Sequence, residues 1–143
     1  MRYLKTFESM ADLAGDSYLK RQERLRVLED MSLELWDENF NIQVSSEVLS
    51  RDDKYIVVNI VKRGSQNRFD YSEIKDTFLS MVSYMESEDY SIKSIEVSSK
   101  YVANLIPVEL KEEELYLKFR PDAVGWGQMV NYPIEQLIIK FKE

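Results

Sequence analysis

The stretch that decides the fold is Tyr55–Met85, YIVVNIVKRGSQNRFDYSEIKDTFLSMVSYM. Its opening, Tyr55 to Val61, is apolar at every position except Asn59. That is the pattern of a strand covered on both faces and central in its sheet. Arg63–Asn67 breaks the strand. A helix then opens on Asp70 as N-cap, with Glu73 placed to return a bond to the cap's own N–H. Phe69 before the cap and Ile74 at the fourth helical position form a hydrophobic staple. Phe78, Met81, Val82 and Met85 continue the same face, and the helix is expected to end between Glu86 and Asp89. Such a face needs a sheet to cover: either Ile56, Val58 and Ile60, or their alternates Tyr55, Val57 and Val61.

Upstream, Phe40, Ile42, Val44 and Val48 alternate with Asn41, Gln43, Ser45 and Glu47, a strand with one buried face. The polar Leu49–Asp53 turn is too short for a crossover, so the two strands form an antiparallel hairpin. Before them, Leu25, Leu28, Met31 and Leu35 mark one helix over about Ser17–Trp36, with Asp16 or Ser17 able to cap it. Leu4, Phe7, Met10 or Ala11, and Ala14 give residues 1–15 the stripe of a short amphipathic helix stopped by Gly15. Downstream, Ile92, Ile95 and Val97 form a less regular strand, crowded by serines that suggest an edge position or a bulge. Tyr101–Pro107 reads as irregular. Leu115, Leu117 and Phe119 make a fourth strand, in a ribbon with Val108 and Leu110. After a linker from Pro121 to Pro133, Leu137, Ile139 and Phe141 form the last strand. The order α-β-β-α-β-β-β predicts an α+β domain over 16–143. It has a mostly antiparallel sheet of about five strands, two main helices and the N-terminal segment 1–15 ahead of it.

Composition closes off much chemistry. The 143 residues contain no cysteine and no histidine. Disulfides, thiol nucleophiles, Cys/His zinc sites and Ser-His-Asp triads are therefore excluded. With 19 basic against 26 acidic residues the net charge is −7, unfavourable for nucleic-acid binding through phosphate neutralisation. No apolar run approaches the roughly 18–20 residues of a membrane span, and residues 1–15 lack a signal-peptide apolar region. Neither a cofactor nor a metal is expected.

Carboxylates are the abundant functional groups left. The triplets Asp52-Asp53-Lys54, Glu73-Ile74-Lys75 and Glu109-Leu110-Lys111 have the spelling of a Mg²⁺-nuclease motif, and only the third is expected on a strand. Glu109, Glu112, Glu113 and Glu114 cluster, either to meet a basic partner or to guard a hairpin tip against edge aggregation. Lys20, Arg21, Arg24 and Arg26 would form a basic patch with Lys62, Arg63 and Arg68 if the fold joined them. Gly125-Trp126-Gly127 presents a large amphipathic ring on a flexible loop, as an interface anchor or a lid on the core.

The opening MRYLKTFESM, residues 1–10, resembles the short Met-(Lys/Arg)-x-Leu-x-x-Phe-Glu leader that begins many small proteins of large tailed bacteriophages. The resemblance implies a phage source, residence in the host cytoplasm or the virion, and Leu4 and Phe7 as docking side chains. The expectation is a non-enzymatic accessory protein, either a virion component or an inhibitor of a host factor, acting on another protein. The alternatives are a nucleic-acid or small-ligand module using Tyr55 or Tyr116 beside Lys118 and Arg120, and a Mg²⁺-dependent hydrolase built on Glu109.

Overall fold

A computed structural model describes residues 18–64, 67–99, 102–118, 129–130 and 133–143. The N-terminal segment 1–15, Phe119, Arg120 and the Gly125-Trp126-Gly127 loop fall outside them.

The expected hairpin forms. Strand β1 (Phe40–Val48) pairs antiparallel with β2 (Lys54–Lys62) in unbroken register, Ile42 opposite Ile60 and Val44 opposite Val58. Ahead of it lie helix α1 (residues 18–31) and the short α2 (Leu33–Asp37). The single helix expected through Trp36 is interrupted at Ser32, whose Oγ donates to the Glu29 carbonyl at 2.6 Å. That local bond competes with the helical ladder, as serine hydroxyls do.

Helix α3 (Tyr71–Ser87) carries the expected capping contact, the Asp70 N–H donating to Glu73 Oε2 at 2.8 Å. Its face of Ile74, Phe78, Met81, Val82 and Met85 is buried. Beyond it run β3 (Ser91–Ser99), β4 (Val102–Lys111), β5 (Glu114–Leu117) and β6 (Gln136–Lys142). The α+β architecture holds, the described residues forming six strands in the order β1-β2-β6-β3-β4-β5, every neighbouring pair antiparallel. The additional strand is β4, which takes in the Tyr101–Pro107 stretch from Val102 onward. β3 is interior rather than an edge, with register shifts between Ile92 and Ser94 and between Val97 and Ser99.

β2 and β3 both oppose β6 and so run parallel to each other, with α3 as their crossover. β6 thus splits a β-α-β unit and joins the β1–β2 hairpin to the β3–β4–β5 meander. One face of the sheet is covered. Ile42, Ile56, Val58, Ile60, Ile95 and Val108 join Leu28 and the α3 face in a single buried cluster. Of the two alternatives in β2, the Ile56–Val58–Ile60 set therefore meets the helix. The other face carries Gln43, Ser45 and Glu109 exposed, and Val57, Asn59 and Ile138 half-buried. Among the described residues no helix lies on it.

Candidate functional site

The glutamate cluster belongs to the β4–β5 hairpin. Glu112 and Glu113 are its two turn residues, both with positive φ, 50° and 67°, the signature of a type I′ connection. The turn is tied down onto α3. The Tyr71 hydroxyl donates to the Glu113 carbonyl at 2.9 Å, and Lys75 Nζ donates to Glu114 Oε1 at 2.6 Å. Burial first, then the charges of Glu114 and Glu113, push the Tyr71 hydroxyl up from its ordinary value. The hydrogen bond from Lys75 to Glu114 outweighs desolvation and raises the ammonium's pKa. Glu109 stands apart on the open face, opposite Tyr116. The four glutamates therefore do not converge on one point.

The three nuclease-like triplets also go to separate places. Asp52 and Asp53 lie in and beside the β1–β2 turn, Glu73 caps α3, and only Glu109–Lys111 is borne on a strand. Among the described residues no three acidic side chains gather as ligands for an ion.

The basic residues are divided by the length of α3, about 25 Å for its 17 residues at 1.5 Å each. At the end near the helix C-terminus, Arg24 Nη2 holds Glu88 at 2.8 Å and Arg21 lies 3.8 Å from Glu143. Burial and the Glu143 charge push the Tyr90 hydroxyl there up to about 12, against the pull of Arg24 and Arg21. At the opposite end Lys62 donates to Glu73 at 2.8 Å, and the Arg63 guanidinium lies 4.8 Å from the Trp36 ring centre. The basic patch that required both sets in one place does not form from these residues.

A cleft of about 680 Å³ opens at the start of α3, between Lys62, Arg68, Phe69, Asp70, Glu73 and Pro133. Its charges answer one another. Burial works against the Glu73 charge, but the Lys62 ammonium and the Asp70 N–H together hold its carboxyl below the ordinary range. Tyr55, the first candidate stacking ring, is buried. Lys140 Nζ lies 6.0 Å from its ring centre, and its hydroxyl reaches Asp53 at 3.4 Å. Tyr116 is half-buried, with Lys118 exposed two residues on.

A second concavity lies where α1 and α2 meet the edge strand. Glu29, Ser32, Leu33 and Trp36 form one wall of a groove of about 410 Å³, and Ile42, Gln43 and Val44 the other. Leu33 is 59% exposed beside it, although it is a large apolar residue on a helix that otherwise buries Leu35. The strand wall is the outer edge of β1. Leu49 N–H donates to the Asp53 carbonyl and Arg63 N–H to the Asn39 carbonyl, so odd-numbered residues of β1 bond to β2. By the alternation of an antiparallel ladder, the N–H and C=O groups of Ile42, Val44 and Ser46 point outward. No described strand pairs with them.

The groove was not visible in the sequence reading. One signal was available: between Arg26 and Arg51 there is no Lys or Arg, while Glu29, Asp30, Glu34, Asp37 and Glu38 follow one another. Among the described residues none of these five carboxylates takes part in an ion pair, so residues 29–38 carry uncompensated negative charge, with Glu29 lining the groove itself.

Leu4, Phe7, Gly125, Trp126 and Gly127, the other interaction candidates, lie outside the described residues. No protein-family model matches the chain, and no curated protein and no solved structure matches it either.

Proposed function

We propose that this chain is a non-enzymatic accessory protein that works by docking onto another protein, and that the α1–α2–β1 corner is where it docks. The observation that carries the reading is Leu33. A leucine that leaves well over half its surface in water, above a groove walled by Trp36, Ile42 and Val44, gains when a partner covers it. Full burial of such a side chain is worth about 1.5–3 kcal/mol. The leader-like opening supports a tailed-phage setting, with the protein as a virion component or an inhibitor of a host factor. On this reading its place is the host cytoplasm or the particle.

A photo-crosslinking residue at Leu33 tests the proposal, with the same residue at Ser80, exposed on α3, as control. In lysate of the cells that make the protein, the Leu33 position is expected to give one discrete adduct and the Ser80 position none. No adduct at Leu33, or equal labelling from both positions, overturns the reading. The nucleic-acid alternative is weakened by the separation of the two basic sets. It predicts oligonucleotide affinity that falls steeply with salt.

A further inference from the structure

We propose that the outer edge of β1 accepts an extended segment of a partner protein as a seventh strand, and that this segment carries Lys or Arg interleaved with apolar residues. The inference rests on the docking reading above and deepens it by naming the partner's form and chemistry.

The backbone supplies the first argument. Ile42, Val44 and Ser46 each turn one N–H and one C=O away from β2, a row of paired bonding groups repeating about every 6.8 Å along the strand. A nine-residue edge without proline and without a bulge is a template that soluble proteins ordinarily blunt. Here the strand's edge side chains offer little protection: Ser46 is small and neutral, Val44 is half-buried, and Glu47 is drawn to Lys140 at 3.4 Å.

The groove supplies the second. An added strand lies about 4.8 Å beyond β1 and alternates its side chains between the two faces of the sheet. One alternate set then falls on the helical side, against Leu33 and Trp36. The other falls beside Gln43 and Ser45 on the open face. Main-chain pairing sets the register, and the apolar wall selects alternate side chains, the usual logic of strand addition.

Charge selects the occupant. Glu29 lines the groove, and Asp30, Glu34, Asp37 and Glu38 follow it along the same two helices with no basic residue among them. Of the cations flanking this stretch, Arg26 is paired with Glu23 at 3.3 Å and Arg63 Nη2 already donates to the Trp36 carbonyl at 3.2 Å. A second copy of this chain would bring an identical acidic stretch beside the same edge, which like-charge repulsion opposes. A segment bearing Lys or Arg brings the missing counter-charge.

The test uses the full chain against a display library of random nine-residue peptides. Enriched sequences are expected to alternate apolar residues and to carry at least two Lys or Arg. The leading peptide is then resynthesised with N-methyl groups on its odd or its even amides. Methylation of one set is expected to weaken binding at least tenfold and of the other less than twofold, because only alternate amides face β1. Ser46→Pro, which removes an outward N–H and no bond to β2, is expected to weaken the peptide at least fivefold while leaving the urea midpoint close to wild type.

Equal effects of the two methylation sets, enrichment of neutral or acidic sequences, or the absence of any enriched peptide would each overturn strand addition. So would a dimer in sedimentation that Ser46→Pro dissociates, since the edge would then be filled by a second copy. A discrete adduct at Leu33 combined with any of these results leaves the docking surface standing and removes only its mode. Loss of both removes the two readings together.

Discussion

Glu112 and Glu113 show how much a single residue's backbone can be made to bear. Two-residue hairpin loops of this kind favour Asn-Gly, because both positions need the left-handed region that an L side chain with a Cβ enters at a cost of about 1–2 kcal/mol. Here two glutamates occupy it, held by the Tyr71 and Lys75 contacts from α3. Glu113→Gly keeps the carbonyl that Tyr71 bonds and relieves the strain. It is expected to raise stability by about 1 kcal/mol, read as a higher urea midpoint at unchanged slope. A lower midpoint would mean that the side-chain charge matters more than the backbone. Glu73 makes a second prediction at this scale. Its carboxyl pKa is held down in the folded chain by Lys62 and the Asp70 N–H, despite the opposing effect of burial. The stability it contributes is therefore present above the unfolded value near 4.3 and is lost as pH falls through the lower folded value. Glu73→Gln should be less stable than wild type at pH 7, and the difference should shrink between about pH 5 and pH 3. A difference that stays constant over that range would show that Glu73 acts only as a neutral hydrogen-bond acceptor.

At the scale of elements, legibility followed how local the deciding interaction is. Helix α3 could be read to within a residue or two because its cap, its staple and its apolar face all lie inside one stretch of chain. β4 could not, because Pro107 looks like a strand breaker. Its carbonyl accepts the Lys118 N–H at 3.2 Å, and the amide it lacks would have gone back to Lys118, just past the end of β5 at Leu117. The missing donor thus costs no pairing inside the ladder, which is where proline is tolerated. That depends on where a later strand stops, which no local pattern reports. The groove was hidden for a similar reason: α2 and β1 are adjacent in sequence, but which side of β1 stays unpaired is decided by β2 and β6. Ser32 was legible as a residue and not as a break, since the same serine could face solvent in a straight helix. Ser32→Ala removes the bond to the Glu29 carbonyl and should raise helical content, seen as deeper ellipticity at 222 nm. An unchanged or shallower spectrum would assign the break to tertiary packing.

For the whole molecule, the arrangement of the sheet ranks its strands. β6 arrives last in the chain and lies between the hairpin and the meander, with Leu137, Ile139 and Phe141 fully buried. Among the described strands the hairpin and the meander meet in the sheet only through β6, with side-chain bonds to α3 as their other tie, so removing packing from β6 weakens both at once. Phe141→Ala should cost about 3–5 kcal/mol, the range of a large aromatic truncated in a closed core, and unfolding should remain a single transition by fluorescence and far-ultraviolet circular dichroism. Two separate transitions would show that the hairpin and the meander hold together independently. Amide hydrogen exchange resolves the same hierarchy without a mutation. The slowest amides are expected in β2, β6 and β3, each bonded on both sides. Within β1, the inward amides of Asn41, Gln43 and Ser45 should exchange slowly and the outward amides of Ile42, Val44 and Ser46 orders of magnitude faster. If those outward amides are instead protected in the isolated chain, the edge is already covered, and what a partner meets at this corner is Leu33 beside the acidic residues 29–38 rather than an open strand.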